Sequence, residues 1–183
     1  MPLAWVGACS TDCHELQAQT IEEIKTMEKE VGFDPNPEED EARQIPEIVL
    51  QEKCPELFER MWFITETILK PVIFSMYHTY SHDIATVQIA KYNPKNKQKG
   101  AWHHDESADI SIVVPLNTGD YVGGGTEFMH RGVVKPLPTG HALMFPSATS
   151  MHRGLAVESG DRYLLVFWLY NEDKLEENSE NLL

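Results

Sequence analysis

From residue 84 to residue 170 the chain is a succession of short β-type runs cut apart by turn residues, and this rhythm narrows the fold more than any other feature. The runs are Ile84–Tyr92, Ala108–Leu116, Thr126–Met129, Val133–Lys135, His141–Phe145, Ser150–Leu155 and Arg162–Tyr170. Between them lie Asn93-Pro94, Asn117-Thr118-Gly119-Asp120, Gly123-Gly124-Gly125, Pro138-Thr139-Gly140 and Ser159-Gly160-Asp161, residue types that reverse the backbone. Many short strands joined this way favour an antiparallel sandwich or barrel over a parallel sheet.

The front of the chain, residues 1–80, reads as helical. Leu16, Ile21, Ile24, Met27 and Val31 recur at spacings that share one helical face. The stretch Asp34–Glu41, with Pro35 and Pro37, breaks any helix and reads as an acidic loop. A second helix is expected from Pro55, since proline suits the first helical turn. It would carry Leu57, Met61, Ile64 and Ile68 toward a core and end near Lys70-Pro71. Residues 81–170 would form the β core, and 171–183 an acidic peripheral tail, the whole being one domain over 1–183.

Charge and cysteine usage bound the partners. A formal net charge of −14 and a sequence pI of about 4.9 repel phosphate backbones, so nucleic acid is not expected. A basic peptide or a small molecule suits such a surface. Cys9, Cys13 and Cys54 leave one thiol unpaired in any disulfide scheme, as in a reducing compartment. The start lacks a basic segment followed by an apolar run, and no stretch reaches the roughly 18 apolar residues of a membrane span. The expectation is a soluble intracellular or cytoplasmic protein; its oligomeric state is not legible.

The chemistry is concentrated in Trp102-His103-His104-Asp105 and, far downstream, Met151-His152-Arg153-Gly154. In a strand, His103 and Asp105 point one way and His104 the other. A third ligand, His152, from a strand folded alongside would complete a triangular face around a metal. That two-histidine, one-carboxylate set leaves the opposite face open. Fe(II) suits these ligands, and zinc would accept them too, so the triad alone does not exclude a hydrolase. Ten residues beyond His152, Arg162 opens the apolar run Arg162–Leu169. A buried guanidinium needs an acceptor, and a dicarboxylate would meet it as a bidentate fork. Otherwise Arg162 would snorkel to water at the strand mouth.

Taken together these pieces resemble the 2-oxoglutarate oxygenases of the prolyl and lysyl hydroxylase group, nearest to the catalytic domain of procollagen lysyl hydroxylases. The likeness runs through Lys91-Tyr92-Asn93-Pro94, His103-His104-Asp105, Gly123–Phe128, Gly140–Pro146, His152 and Gly160–Tyr163. It implies a mainly β fold with flanking helices around a double-stranded β-helix, or jelly-roll, core. It implies His103, Asp105 and His152 as iron ligands, Arg162 as the 2-oxoglutarate anchor, and Tyr92 lining the cosubstrate or substrate pocket. The implied reaction uses Fe(II), 2-oxoglutarate and O2, with ascorbate as an accessory, and releases succinate and CO2. Two departures stand out. These 183 residues are expected to stand without the large upstream glycosyltransferase-like regions and the secretory signal of animal lysyl hydroxylases, and Pro115 stands where some prolyl hydroxylases place a cosubstrate-holding tyrosine.

Three readings follow. The first is a hydroxylase of lysine, with proline next, in a peptide or protein. The second applies the same chemistry to a free amino acid or small metabolite. The third is a jelly-roll module that binds metal without turnover, which leaves Arg162 unexplained. The segment Pro94–Gly100 reads as a solvated loop rather than a lid, and Gly123–Gly125 serves either a positive-φ turn or a close backbone approach. His130 and His141 read as surface or satisfied core, and Cys9-x-x-x-Cys13-His14 lacks the second ligand pair of a zinc site.

Overall fold

Every β-type run of the sequence becomes a strand in the computed structural model, which describes residues 4–7, 11–30, 32–33, 45, 47–79, 83–95, 100–106 and 108–171. In chain order the strands are β1 (Ala4–Gly7), β2 (Glu47–Val49), β3 (Asp83–Tyr92), β4 (Ile110–Pro115), β5 (Val122–Gly123), β6 (Thr126–Phe128), β7 (Gly132–Val134), β8 (His141–Pro146), β9 (His152–Gly154), β10 (Val157–Ser159) and β11 (Arg162–Tyr170). The helices are α1 (Thr11–Glu30), α2 (Leu50–Lys53), α3 (Pro55–Ile64) and α4 (Lys70–Tyr77).

Six strands form a major sheet in the order β1-β8-β4-β11-β3-β2, with every pairing antiparallel. A three-stranded sheet, β7-β6-β9, and a two-stranded one, β10-β5, complete the β structure. Because side chains alternate along a strand, the major sheet has two faces of different character. On one, Ile89 of β3 and Leu165 and Phe167 of β11 pack against Ile24, Leu57, Met61 and Ile73 of the helices, all buried. Each such aliphatic side chain stabilises the fold by about 1.5–3 kcal/mol on burial. On the other face, Ala90, Leu164 and Val166 form a thinner apolar floor with Tyr92 and Trp168. There the three-stranded sheet closes one end, with Phe128 of β6 edge-on to Phe145 of β8 at 5.1 Å.

The front of the chain is less purely helical than its spacing suggests. Strands β1 and β2 come from it and form the two edges of the major sheet. With four and three residues, they are too short to show an alternation in sequence.

The second helix also departs from expectation. It runs through Pro71 to Tyr77 and stops where His78 adopts a left-handed φ of 55°. A five-residue π turn, Thr65–Leu69, joins α3 to α4 and puts Pro71 in the first turn of α4, where its missing N–H is tolerated. The wide turn also shifts the buried face. Leu57, Met61, Thr65, Leu69 and Ile73 are buried at a constant spacing of four, while Ile68, expected inside, is 47% exposed. Of the α1 face, Ile21, Ile24 and Met27 are buried as expected. Val31, the acidic loop Asp34–Glu41 and the tail beyond Asn171 lie outside the described residues, as does Cys9. Among the described residues no helix is long and apolar enough to cross a membrane.

Candidate active site

The thinner face of the major sheet floors a cavity of about 440 Å³. Its lining includes Tyr92, Ala90 and Gln88 from β3, Arg162, Leu164, Val166 and Trp168 from β11, His152 and Gly154 from β9, and the segment from Gly100 to Glu106. That segment is not a strand, as alternation had suggested. It is an irregular stretch held to β9 by one isolated antiparallel bridge, His103 to His152, in which each N–H donates to the other's carbonyl at 3.0 Å. The bridge nonetheless puts both imidazoles on one side, with ring centroids 4.3 Å apart.

His103, Asp105 and His152 each present a ligand atom, and the three atoms lie within 4.8 Å of one another. His103 Nε2 is 3.5 Å from Asp105 Oδ1, and His152 Nε2 is 3.8 Å from Asp105 Oδ2. Cis ligands on an octahedral ion, each about 2.1 Å from it, would stand about 3 Å apart, so a small closure would suffice. The tautomers are set for ligation. His103 Nδ1 donates to the Ala101 carbonyl at 3.0 Å and His152 Nδ1 to that of Ser150 at 2.9 Å, leaving each Nε2 lone pair for the centre. Burial holds the His152 pKa below the ordinary imidazole value, against the pull of Asp105, so the ring is neutral, as a ligand must be. Asp105 is steadied through Oδ2 by the Ser111 hydroxyl, itself 2.8 Å from that of Ser147. Sequence reasoning missed both serines; the signal for Ser111 was a polar residue inside an apolar strand, and Ser147, in the turn after β8, offered none. His104 is half-buried and borders the same cavity, so it does not turn fully away.

Arg162 is 3% exposed, which removes the snorkelling alternative. Strand register sets it beside Tyr92, with the guanidinium 5.1 Å from that ring's centroid. One Nη donates to the Gly125 carbonyl at 3.2 Å, while the buried Nε has no partner. A buried charged donor left unpaired is costly, so the arrangement suits an anion entering the cavity. The glycine run forms the wall beside it. Gly123, Gly124 and Gly125 all have positive φ, and a Cβ on Gly124 would come 3.1 Å from Arg162 Cδ. Gly124 admits the arginine, whereas a Cβ on Gly123 or Gly125 would meet the carbonyl of Ala156 or Val134. Gly154 makes room for the tyrosine in the same way, since a Cβ there would lie 2.5 Å from the Tyr92 hydroxyl. His130 is exposed and His141 half-buried, both outside the site as expected.

The chain is 32% identical over 120 residues to the multifunctional procollagen lysine hydroxylase and glycosyltransferase of Caenorhabditis elegans, across 61% of this chain and 16% of that protein. It is 31% identical over 110 residues to human procollagen-lysine,2-oxoglutarate 5-dioxygenase 2, across 58% of this chain and 14% of that one. Among solved structures, a Pseudomonas putida prolyl-4-hydroxylase superposes with a TM-score of 0.68 at 16% identity, covering 93% of this chain and 92% of that one. The chain is similar in sequence to lysyl hydroxylases and in fold to a prolyl hydroxylase of the same group. Its architecture is the group's double-stranded β-helix, the mainly β fold with flanking helices expected from the sequence. The chain spans about a sixth of the length of the curated lysyl hydroxylases it matches. No family model matches it.

Proposed function

We propose that the chain is an Fe(II)- and 2-oxoglutarate-dependent dioxygenase that hydroxylates an unactivated C–H bond of a lysine, or next a proline, in a peptide or protein. The observation that carries this reading is the joint placement of the triad His103, Asp105 and His152 and the buried, incompletely bonded Arg162 around one cavity. In this reading His103, Asp105 and His152 would hold Fe(II), with the histidines oriented by the Ala101 and Ser150 carbonyls and the aspartate by Ser111. Fe(II), with O2, would supply the oxidising chemistry, in which one oxygen atom would go to succinate as 2-oxoglutarate loses CO2 and the other to the substrate hydroxyl.

The protein's own work is placement. Arg162 meets the distal carboxylate of 2-oxoglutarate as a charge-assisted fork, completing the donor set that the Gly125 carbonyl does not engage. Tyr92 lies under the guanidinium and limits its swing. Ala90, Leu164 and Val166 keep the floor apolar and water-poor. No side chain is asked to act as nucleophile or general base. A lysine-bearing peptide is favoured by the similarity to procollagen lysyl hydroxylases and by the net charge of −14.

The test is Fe(II)- and O2-dependent conversion of 2-oxoglutarate to succinate, with lysine- and proline-containing peptides offered beside the free amino acids. The expected result is succinate formation stimulated by a lysyl peptide that gains one oxygen atom by mass. Oxygen gain only on free amino acids would overturn the peptide assignment, and no turnover with any of them would overturn the enzyme.

A further inference from the structure

Two cross-strand rows run side by side through the metal-ligand region, and only the inner one belongs to the triad. The inner row is His103, His152 and Phe128, linked by the isolated bridge and by the β9–β6 register. One residue along, the outer row is Trp102, Arg153 and Glu127. Arg153 lies across from Glu127 in the same register, and its guanidinium sits 4.1 Å from the centroid of the Trp102 ring. Its Nε donates to Glu127 Oε2 at 2.7 Å, and Nη2 approaches the same oxygen at 2.6 Å.

The need for such a brace is visible at His103. Its side chain is 49% exposed, whereas those of Asp105 and His152 are 6% and 9% exposed. It sits on a segment without regular secondary structure, joined to β9 by the bridge and by the Gly100 N–H donating to the Gly154 carbonyl at 3.0 Å. Packing therefore fixes two of the three ligand side chains and leaves the third to its backbone. On an antiparallel pair, clamping one residue fixes the tilt of its neighbour across the pleat.

We infer that Arg153 is the positioning residue of this site: stacked on Trp102 and tied to Glu127, it holds the His103 segment against β9 so that both imidazoles keep a common aim. The inference rests on the proposed Fe(II) triad. Arg153 touches neither ion nor cosubstrate; it acts through Trp102 and the backbone. A planar guanidinium can stack and bond edge-on at once, which an ammonium cannot, so lysine should replace it poorly.

The test is Co(II) or anaerobic Fe(II) titration of the full chain, with the Co(II) absorption bands reporting ligand geometry. Arg153→Ala should weaken metal binding about 10–100-fold, the usual range for an outer partner of metal ligands, and Arg153→Lys should recover only part of that. Trp102→Leu with Arg153→Ala should be no worse than Arg153→Ala alone, because one clamp is lost once. Amide exchange at His103 and His152 should quicken in the same variants. Glu28→Gln, which loosens α1 on the opposite face of the major sheet from the triad, serves as the control for lost stability and should leave metal affinity unchanged. Metal affinity of Arg153→Ala within about twofold of the parent, or an equal loss in Glu28→Gln, would overturn the clamp. Failure of the parent chain to bind, or binding that survives His152→Ala, would overturn the triad and the clamp with it.

Discussion

Lys91 and Arg162 occupy one corner of the major sheet, on β3 and β11, yet they face opposite sides and live in opposite circumstances. Register pairs Tyr163 with Lys91 and Arg162 with Tyr92. On the helix side every polar group is met: Lys91 bonds Glu28, lies 3.1 Å from Asp161, and sits over the rings of Phe33 and Tyr163. The Tyr163 hydroxyl donates to the other Glu28 oxygen at 2.5 Å. On the cavity side Arg162 has a neutral carbonyl, a ring, and a buried Nε with nothing to bond. Both sites draw a cation out of bulk water, but only on the helix side do carboxylates meet it. A closed polar network holds a helix to a sheet; an open one leaves donors for a ligand, the role proposed for Arg162.

That contrast breaks if the two cations prove interchangeable in their effects. The largest expected change is in His152→Ala, which should abolish metal binding by titration while the fold survives. Next, Arg162→Ala should lose about 2–5 kcal/mol of 2-oxoglutarate affinity, read by anaerobic calorimetry on the metal-loaded protein. Unchanged cosubstrate affinity in that variant would remove Arg162 from its proposed role. On the other face, Glu28→Gln should lower denaturant stability by about 1–3 kcal/mol through its two stranded partners, with 2-oxoglutarate affinity intact.

A finer distinction comes from pH. Burial, reinforced by the bond to Glu28, pushes the Tyr163 phenol up to about 12. Burial works against the charge on Lys91, but its bonds to Glu28, Tyr163 and Asp161 outweigh it and the net shift is upward. Raised folded-state values mean stability that is full below the unfolded values near pH 10 and is lost as pH climbs through the folded ones. Thermal melts should therefore fall between about pH 10 and 12, and Tyr163→Phe should flatten the slope. The smallest effect is expected in Gly154→Ala, where Tyr92 must shift aside and 2-oxoglutarate affinity should drop several-fold without loss of metal.

Much of this architecture was legible because the signals were local. Alternation marked the longer strands, and Arg162 stood out as a charge opening a run of apolar residues. What stayed hidden depended on partners distant in sequence. The edges β1 and β2 are too short to carry a pattern, and the π turn that carries the helix through Pro71 and turns Ile68 outward leaves no trace in composition. Histidine spacing suggested a strand at residues 103–105, whereas the ligands ride on an irregular segment whose geometry comes from β9. Ser111 and Arg153 act through neighbours that only the fold supplies.

The order of the major sheet carries a consequence for how the molecule is made. Its central strand, β11, is the last to leave the ribosome, so β3 with β2 and β4 with β8 have no common neighbour until residue 170 is available. Until then two strand edges stay open to wrong pairing, and closure demands contacts between distant parts of the chain, which slows folding. Arg162 arrives with that closing strand, so the halves of the sheet are joined and the guanidinium set beside Tyr92 in one step.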